Sequence, residues 1–176
     1  MRPRVSVYIA TSLDQFIARD DGDLDWLAEV QDAGGGDYGY AAFMDTIDAV
    51  VLGRVTYDAV RSFELWPFDG KRVIVLTNRP LLAGFNEEQY AGALAPLFDR
   101  LGATGVRRVY LDGGATIRQA LDEGLVDDLT LSVVPVILGT GLPLFSRGIP
   151  ESHWTLTGSE HFPTGLVQLR YQRRRA

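Results

Sequence analysis

Two glycine-bearing segments, Gly53-Arg54-Val55-Thr56-Tyr57 and Asp112-Gly113-Gly114-Ala115-Thr116, carry the residue types that a phosphate ligand needs. Each follows a short apolar run, Ala49-Val50-Val51-Leu52 or Val109-Tyr110-Leu111, and each opens a stretch with helical spacing. Glycine at such a junction lets backbone N–H groups come close to a ligand, and the helix N-terminus favours negative charge. Arg54 adds a cation, and Thr56 adds a hydroxyl beside unpaired helix amides. Two junctions of this kind suit a ligand with several phosphates, such as a dinucleotide. Thr77-Asn78-Arg79 stands where the run Arg72 to Leu76 should end. Its hydroxyl, amide and guanidinium suit the 2′-phosphate that distinguishes NADP from NAD, at the strand ends where open α/β sheets bind ligands. Taken singly, each segment is also an ordinary turn; together the three carry more weight.

Several chemistries lack their residues. There is no Rossmann fingerprint, because Gly139-Thr140-Gly141-Leu142-Pro143-Leu144 lacks the third small residue and leads into no helix. Neither a GxxxxGK[ST] phosphate loop nor a Gly-x-Ser-x-Gly nucleophile elbow occurs. His153 and His161 have no metal-ligand spacing, so no metal is expected. With no cysteine, disulfides and thiolate metal sites are excluded.

The elements that must position these residues come from periodicity. Val5 to Ala10 reads as a strand, and Phe16-Ile17-Ala18 as a short extended piece. Asp20-Asp21-Gly22-Asp23 predicts a turn into a helix over Leu24 to Val30 with Asp23 as N-cap. Gly34-Gly35-Gly36 ends that helix, and Tyr38 to Thr46 predicts another. A helix through Ser62 comes after Gly53. Leu94, Leu97, Phe98 and Leu101 share one helical face, with Pro96 in the first turn. The helix from Ala115 to Leu121 ends near Gly124, and Asp128 to Ile137 reads as a long strand. His153 to Ser159 and Leu166 to Gln172 form a strand pair. Alternating strands and helices, then consecutive strands, predict an α/β sheet, parallel in the centre with an antiparallel C-terminal edge.

A chain of 176 residues with no linker or repeat predicts one domain, 1–176. Its 46% hydrophobic and 23% charged residues fit a globular class, and no window has the apolar length of a membrane helix. The N-terminus lacks the pattern of a secretory signal, so a cytoplasmic location is expected. A net charge of −6 argues against nucleic-acid binding. The basic run Arg170 to Arg175 reads as a frayed, solvated terminus without a function.

The ordered set of Ser12-Leu13-Asp14-Gln15-Phe16-Ile17-Ala18, Gly53 to Tyr57, Asp112-Gly113-Gly114 and Val134 to Phe145 resembles the dihydrofolate-reductase-like superfamily. It is most similar to the C-terminal reductase domain of the bifunctional riboflavin-biosynthesis deaminase–reductase and its stand-alone relatives. The resemblance implies a three-layer α/β/α fold, NADPH as cofactor and a homodimer. It implies that Gly53, Arg54 and Thr56 hold the phosphates and that Thr77, Asn78 and Arg79 surround the 2′-phosphate. Gly113, Gly114, Ala115 and Thr116 would line the pyrophosphate and nicotinamide, with Ala10 and Ile17 flanking the nicotinamide. Asp23-Leu24-Asp25-Trp26 is similar to the helix start that carries the acidic substrate-binding residue of dihydrofolate reductases. That assigns Asp23 as a catalytic acid if burial raises its pKa, with Asp14, Asp25 and Trp26 toward the substrate. The expected activity is NADPH-dependent reduction of a small heterocyclic or ribosylated molecule. The 5-amino-6-(5-phosphoribosylamino)uracil of riboflavin synthesis leads, with dihydrofolate as the alternative substrate. A nucleotide- or pterin-binding protein without activity is the alternative of another class. Two positions depart from the family pattern: Gln15 replaces the usual glycine, and Phe16 a usual basic residue. No deaminase half with its zinc ligands is present in the sequence.

Overall fold

Short runs of β-branched and aliphatic residues, each ended by a glycine or a polar residue, become the strands of the computed structural model. It describes residues 1–31, 34, 36–81, 84 and 87–175. In chain order the elements are β1 (Arg4–Thr11), β2 (Phe16–Ala18), α1 (Ala28–Gln31), α2 (Tyr40–Asp45), β3 (Ala49–Gly53), α3 (Arg54–Val60), β4 (Arg72–Leu76) and β5 (Glu88–Tyr90). Then come α4 (Leu94–Ala103), β6 (Arg108–Asp112), α5 (Gly114–Asp122), β7 (Asp128–Val133), β8 (Leu142–Pro143), β9 (Trp154–His161) and β10 (Val167–Arg173). The main sheet has the order β5-β4-β3-β6-β1-β7-β10-β9. Strands β5 to β7 in that order are parallel, while β10 runs antiparallel to both β7 and β9. The parallel centre and antiparallel C-terminal edge are those the element order predicts.

Alternation along the strands sends side chains to opposite faces and so builds two cores. Val5, Val7, Val51, Ile74, Val109 and Leu111 meet Leu94, Leu97, Phe98 and Leu101 of α4 and Ile117 and Leu121 of α5. Val50, Leu52, Val73, Val75 and Tyr110 meet Phe43 and Met44 of α2 and Tyr57 and Val60 of α3. Helices thus cover both faces, giving three layers. A third cluster of Trp26, Val30, Val134 and Leu166 packs with Ala10 beside the end of β1.

Three local expectations are corrected, and one strand was not expected. The predicted helix over 24–30 is a 3-10 turn, Asp25–Leu27, continued by the single turn α1, and Leu24 rather than Asp23 occupies the cap. Strand β7 stops at Val133, because Val134 still bonds Thr11 but the chain then turns off. Strand β5 has no apolar run to announce it; it pairs with β4, where Glu88 meets Arg72. The C-terminal arginines are not frayed: Arg173 lies in β10, and the Arg174 amide donates to the His153 carbonyl. Of the three glycines expected to break the first helix, Gly34 and Gly36 have positive φ, and Gly35 lies outside the described residues.

Candidate active site

Strands β3 and β6 are neighbours, with Leu52 opposite Asp112, so α3 and α5 begin side by side at the carboxyl end of the sheet. The two glycine junctions therefore touch. A Cβ on Gly113 would lie 2.6 Å from Thr56 Oγ1 and 3.6 Å from the Gly53 nitrogen. One on Gly53 would lie 2.9 Å from Thr116 Oγ1. Gly113 has φ +94°, which disfavours any side chain there. No side chain caps either helix, leaving first-turn amides of both for an anion. Ile17 closes the second junction: its Cδ1 would be 2.3 Å from a Cβ on Gly114.

Thr77-Asn78-Arg79 lies just beyond β4, the strand next to β3. Thr77 receives the Arg79 amide on its hydroxyl at 3.0 Å, while Asn78 and Arg79 are exposed. Arg54 ties this turn to the first junction, donating to the Pro80 carbonyl at 3.2 Å and pairing with Asp58 at 2.8 Å. Gly53, Arg54, Thr56, Thr77, Asn78, Arg79, Gly113, Gly114, Ala115 and Thr116 thus share the carboxyl end of three adjacent parallel strands. Ala10, near the carboxyl end of β1 beside β6, packs with the Trp26 cluster.

The acids behave differently from their sequence assignments. Asp23 is exposed, and one carboxylate oxygen accepts the amides of Leu24 at 2.6 Å and Asp25 at 3.0 Å. The burial that a proton-holding Asp23 requires is absent, because a local turn satisfies it at the surface. Asp25 is also exposed and pairs with Arg19 at 2.6 Å, whose hydrogen bond holds its carboxyl below the usual range. Asp14 is a staple. It accepts from Ser12 Oγ at 2.6 Å, Leu138 N at 3.1 Å and Gly139 N at 2.7 Å, and the Ser12 bond is the main cause of its lowered pKa. Trp26 is 5% exposed, a core residue whose Nε1 has no partner among the described residues.

Asp112 received no role from its place in the sequence, yet it is the acid best placed for chemistry. It ends a central strand immediately before the paired glycines, and burial raises its pKa against the lowering effect of the Gly113 amide, 2.8 Å away, and of Tyr110. Burial likewise pushes Tyr110 well up, with the neighbouring Asp112 and Tyr40 acting in the same direction. Its hydroxyl also lies 3.3 Å from the Tyr8 carbonyl. Beside it, buried Gln168 donates to Tyr8 Oη at 2.8 Å, the Tyr38 carbonyl at 3.0 Å and Ser132 Oγ at 3.2 Å. The signal in the sequence was an acid closing an apolar central strand, at the end where ligands bind.

Known proteins share this fold. The chain is 36% identical to a protein of Shewanella sp. PV-4 named for riboflavin biosynthesis, with a TM-score of 0.89 over 99% of this chain and 100% of that one. The uncharacterized protein YwjB of Bacillus subtilis (strain 168) is 35% identical, over 98% of this chain and 99% of its own. The fold also matches the Thermotoga maritima diaminohydroxyphosphoribosylaminopyrimidine deaminase/5-amino-6-(5-phosphoribosylamino)uracil reductase. There the TM-score is 0.74 at 17% identity, over 98% of this chain and 57% of that one. The RibD C-terminal domain model matches residues 3–168. With the glycine junctions, the parallel sheet and these likenesses in agreement, the chain belongs to the RibD C-terminal domain family, a branch of the dihydrofolate-reductase-like superfamily.

Proposed function

We propose that this protein is a single-domain, cytoplasmic, NADPH-dependent reductase of a small heterocyclic or ribosylated substrate, 5-amino-6-(5-phosphoribosylamino)uracil or a close analogue. The observation that carries the reading is the back-to-back glycine cradle. A Cβ on Gly113 would strike Thr56, and one on Gly53 would approach Thr116 closely, so the backbone is kept bare beside the uncapped helix amides. Those groups fit a pyrophosphate. Arg79, exposed beyond β4, fits the 2′-phosphate. When bound, NADPH supplies a hydride to an electrophilic C=N or C=O carbon. The chain's own part is to orient the reactants, exclude water and provide a proton to the adjoining heteroatom. Asp112 suits that proton better than Asp23, because desolvation favours its protonated form.

Dihydrofolate is the less favoured substrate, since Asp23, aligned with the substrate acid of dihydrofolate reductases, is exposed and engaged in a turn. Phe16 in place of the usual basic residue favours an analogue with less anionic character than the phosphoribosyl compound. A homodimer would pair the hairpin at the open edge of the sheet, where Leu156 and Val167 are 51% and 38% exposed.

Titration with NADPH and NADH, then an NADPH-oxidation screen over the ribosylaminopyrimidine, dihydrofolate, quinones and aldehydes, tests the reading. Tight NADPH binding with turnover of a pyrimidine is the expected outcome. Absence of binding to either nucleotide would make the chain a non-catalytic member of the family.

A further inference from the structure

The ordered C-terminal arginines build a second basic site far from the cradle. Two adjoining grooves, of about 770 and 690 Å³, lie at the amino-terminal ends of β1 and β6 and share Arg2, Arg173 and Arg175. Arg174 lines the first groove, and Arg4 and Arg107 line the second. Six arginines therefore face these grooves, against two acidic residues, Asp127 and Glu151, among the described residues. The distance from the cradle is the length of β1, eight residues, or about 25 Å at the usual rise of a strand.

Neutralisation inside the grooves is incomplete. Asp127 is shared by Arg2 at 3.0 Å and by Arg175, and also accepts the Val5 amide. Arg4 pairs with Asp128, which also holds Arg108 at 3.0 Å. Glu151 faces His153 at 3.4 Å. Arg107, Arg173 and Arg174 form no ion pair among the described residues: Arg174 donates to Thr155 Oγ1 at 3.1 Å, Arg173 lies over the Trp154 ring at 6.0 Å, and Arg107 has only the longer-range attraction of Asp48, which accepts its backbone amide at 2.8 Å. The Arg173 guanidinium also rests against Gly124, where an added Cβ would be 3.2 Å from its nitrogens. Its fork is thus held in place at the groove wall.

Fixed guanidinium forks match the paired oxygens of phosphate. The grooves are open to solvent, as suits a strongly hydrated anion rather than an apolar ligand. The rest of the chain is strongly acidic and would repel an extended polyanion. From these observations, the geometry points to a second binding site for a compact oligophosphate, either the di- or triphosphate of a nucleotide or a free oligophosphate.

Calorimetric titration of the full chain with tripolyphosphate, ATP and AMP, with the cradle saturated by NADP⁺, tests this assignment. Tripolyphosphate is expected to bind at one saturable site, and AMP more weakly than either longer phosphate. Equal binding of ATP and tripolyphosphate identifies the phosphate chain as the recognised group, and tighter ATP binding identifies a nucleotide as its source. Affinity is expected to fall at least about tenfold in Arg107→Gln/Arg174→Gln, the loss of two charge-assisted contacts. Those side chains are exposed and hold no ion pair, so the melting temperature should stay unchanged; Arg107→Gln alone provides a milder variant should the double one melt early. Loss of all binding under NADP⁺, equal affinity in the variants, or tighter binding of a single-stranded oligonucleotide than of tripolyphosphate would overturn the assignment.

Discussion

Asp112 concentrates the chemistry of the proposed site in one side chain. Burial places its folded-state pKa above the unfolded value, so the folded protein holds that proton to higher pH. The stability linked to it is complete below the unfolded pKa of about 3.9 and is lost as pH rises through the folded value. Asp112→Asn, neutral and isosteric, should therefore be at least as stable as the natural protein near pH 7.5, with the difference closing toward pH 4 in thermal melts. NADPH oxidation should fall by about 10²-fold or more, the usual contribution of a positioned proton donor; full activity would remove Asp112 from the chemistry. Gly113 and Gly53 separate two kinds of constraint. Gly113→Ala combines φ +94° with a contact at 2.6 Å and should cost about 1–3 kcal/mol in urea melts as well as NADPH affinity. Gly53→Ala meets only the Thr116 hydroxyl, at an ordinary φ of −75°, and should cost less. Gln15 shows the converse: its φ of +66° is the backbone conformation that glycine, usual at this place in the family, adopts without strain.

Helices and loops divide the work of holding the site. The amphipathic face of α4 buries Leu94, Leu97, Phe98 and Leu101 completely under the sheet. Ile117 and Leu121 of α5 join the same core, so the helix that opens at Gly114 rests on a close-packed layer. The segment after β7 is tied back by backbone bonds to Thr11 and Leu13 and, further along, by one carboxylate. Asp14 gathers Ser12, Leu138 and Gly139 and joins the first motif to the 134–141 loop. Asp14→Ala should speed hydrogen exchange at Leu138 and Gly139 while leaving the β3 and β6 amides protected. Unchanged exchange there would mean that the backbone bonds to Thr11, Leu13 and Gln15 and the β2–β8 pairing hold the loop without Asp14.

Across the whole molecule the two ends of the sheet carry opposite tasks. The carboxyl end presents glycines, uncapped helix amides and a half-buried acid; the amino end presents arginines within an acidic chain. The antiparallel hairpin leaves β9 as an edge strand. With Leu156 exposed there, sedimentation equilibrium should give a dimer, and Leu156→Arg should shift it toward monomer. The cradle on the far side of the sheet from that edge should make NADPH preferred over NADH. Arg79→Ala should reduce that preference by about 10- to 100-fold in paired titrations, the worth of one charge-assisted contact.

The parallel strands, the glycine junctions and the antiparallel hairpin are legible in the amino-acid order alone, because each is written in a local period or in a residue with special backbone freedom. Ala49–Gly53 and Arg108–Asp112 read as strands from their apolar runs, and Gly53 and Gly113 read as junctions from the helical spacing after them. Strand β5 was illegible, since Glu88-Gln89-Tyr90 becomes a strand only through pairing with β4. Asp23 resembled a catalytic acid in the sequence, yet solvent and two local amides satisfy it. Asp112 is favoured over Asp23 only because of the folded chain, where burial at the end of β6 raises its pKa. The terminal arginines changed in the same way, from a tail to a groove wall once β10 paired with β9. Hydrophobic period and glycine are local properties, whereas desolvation and charge proximity depend on which distant segments the fold brings together.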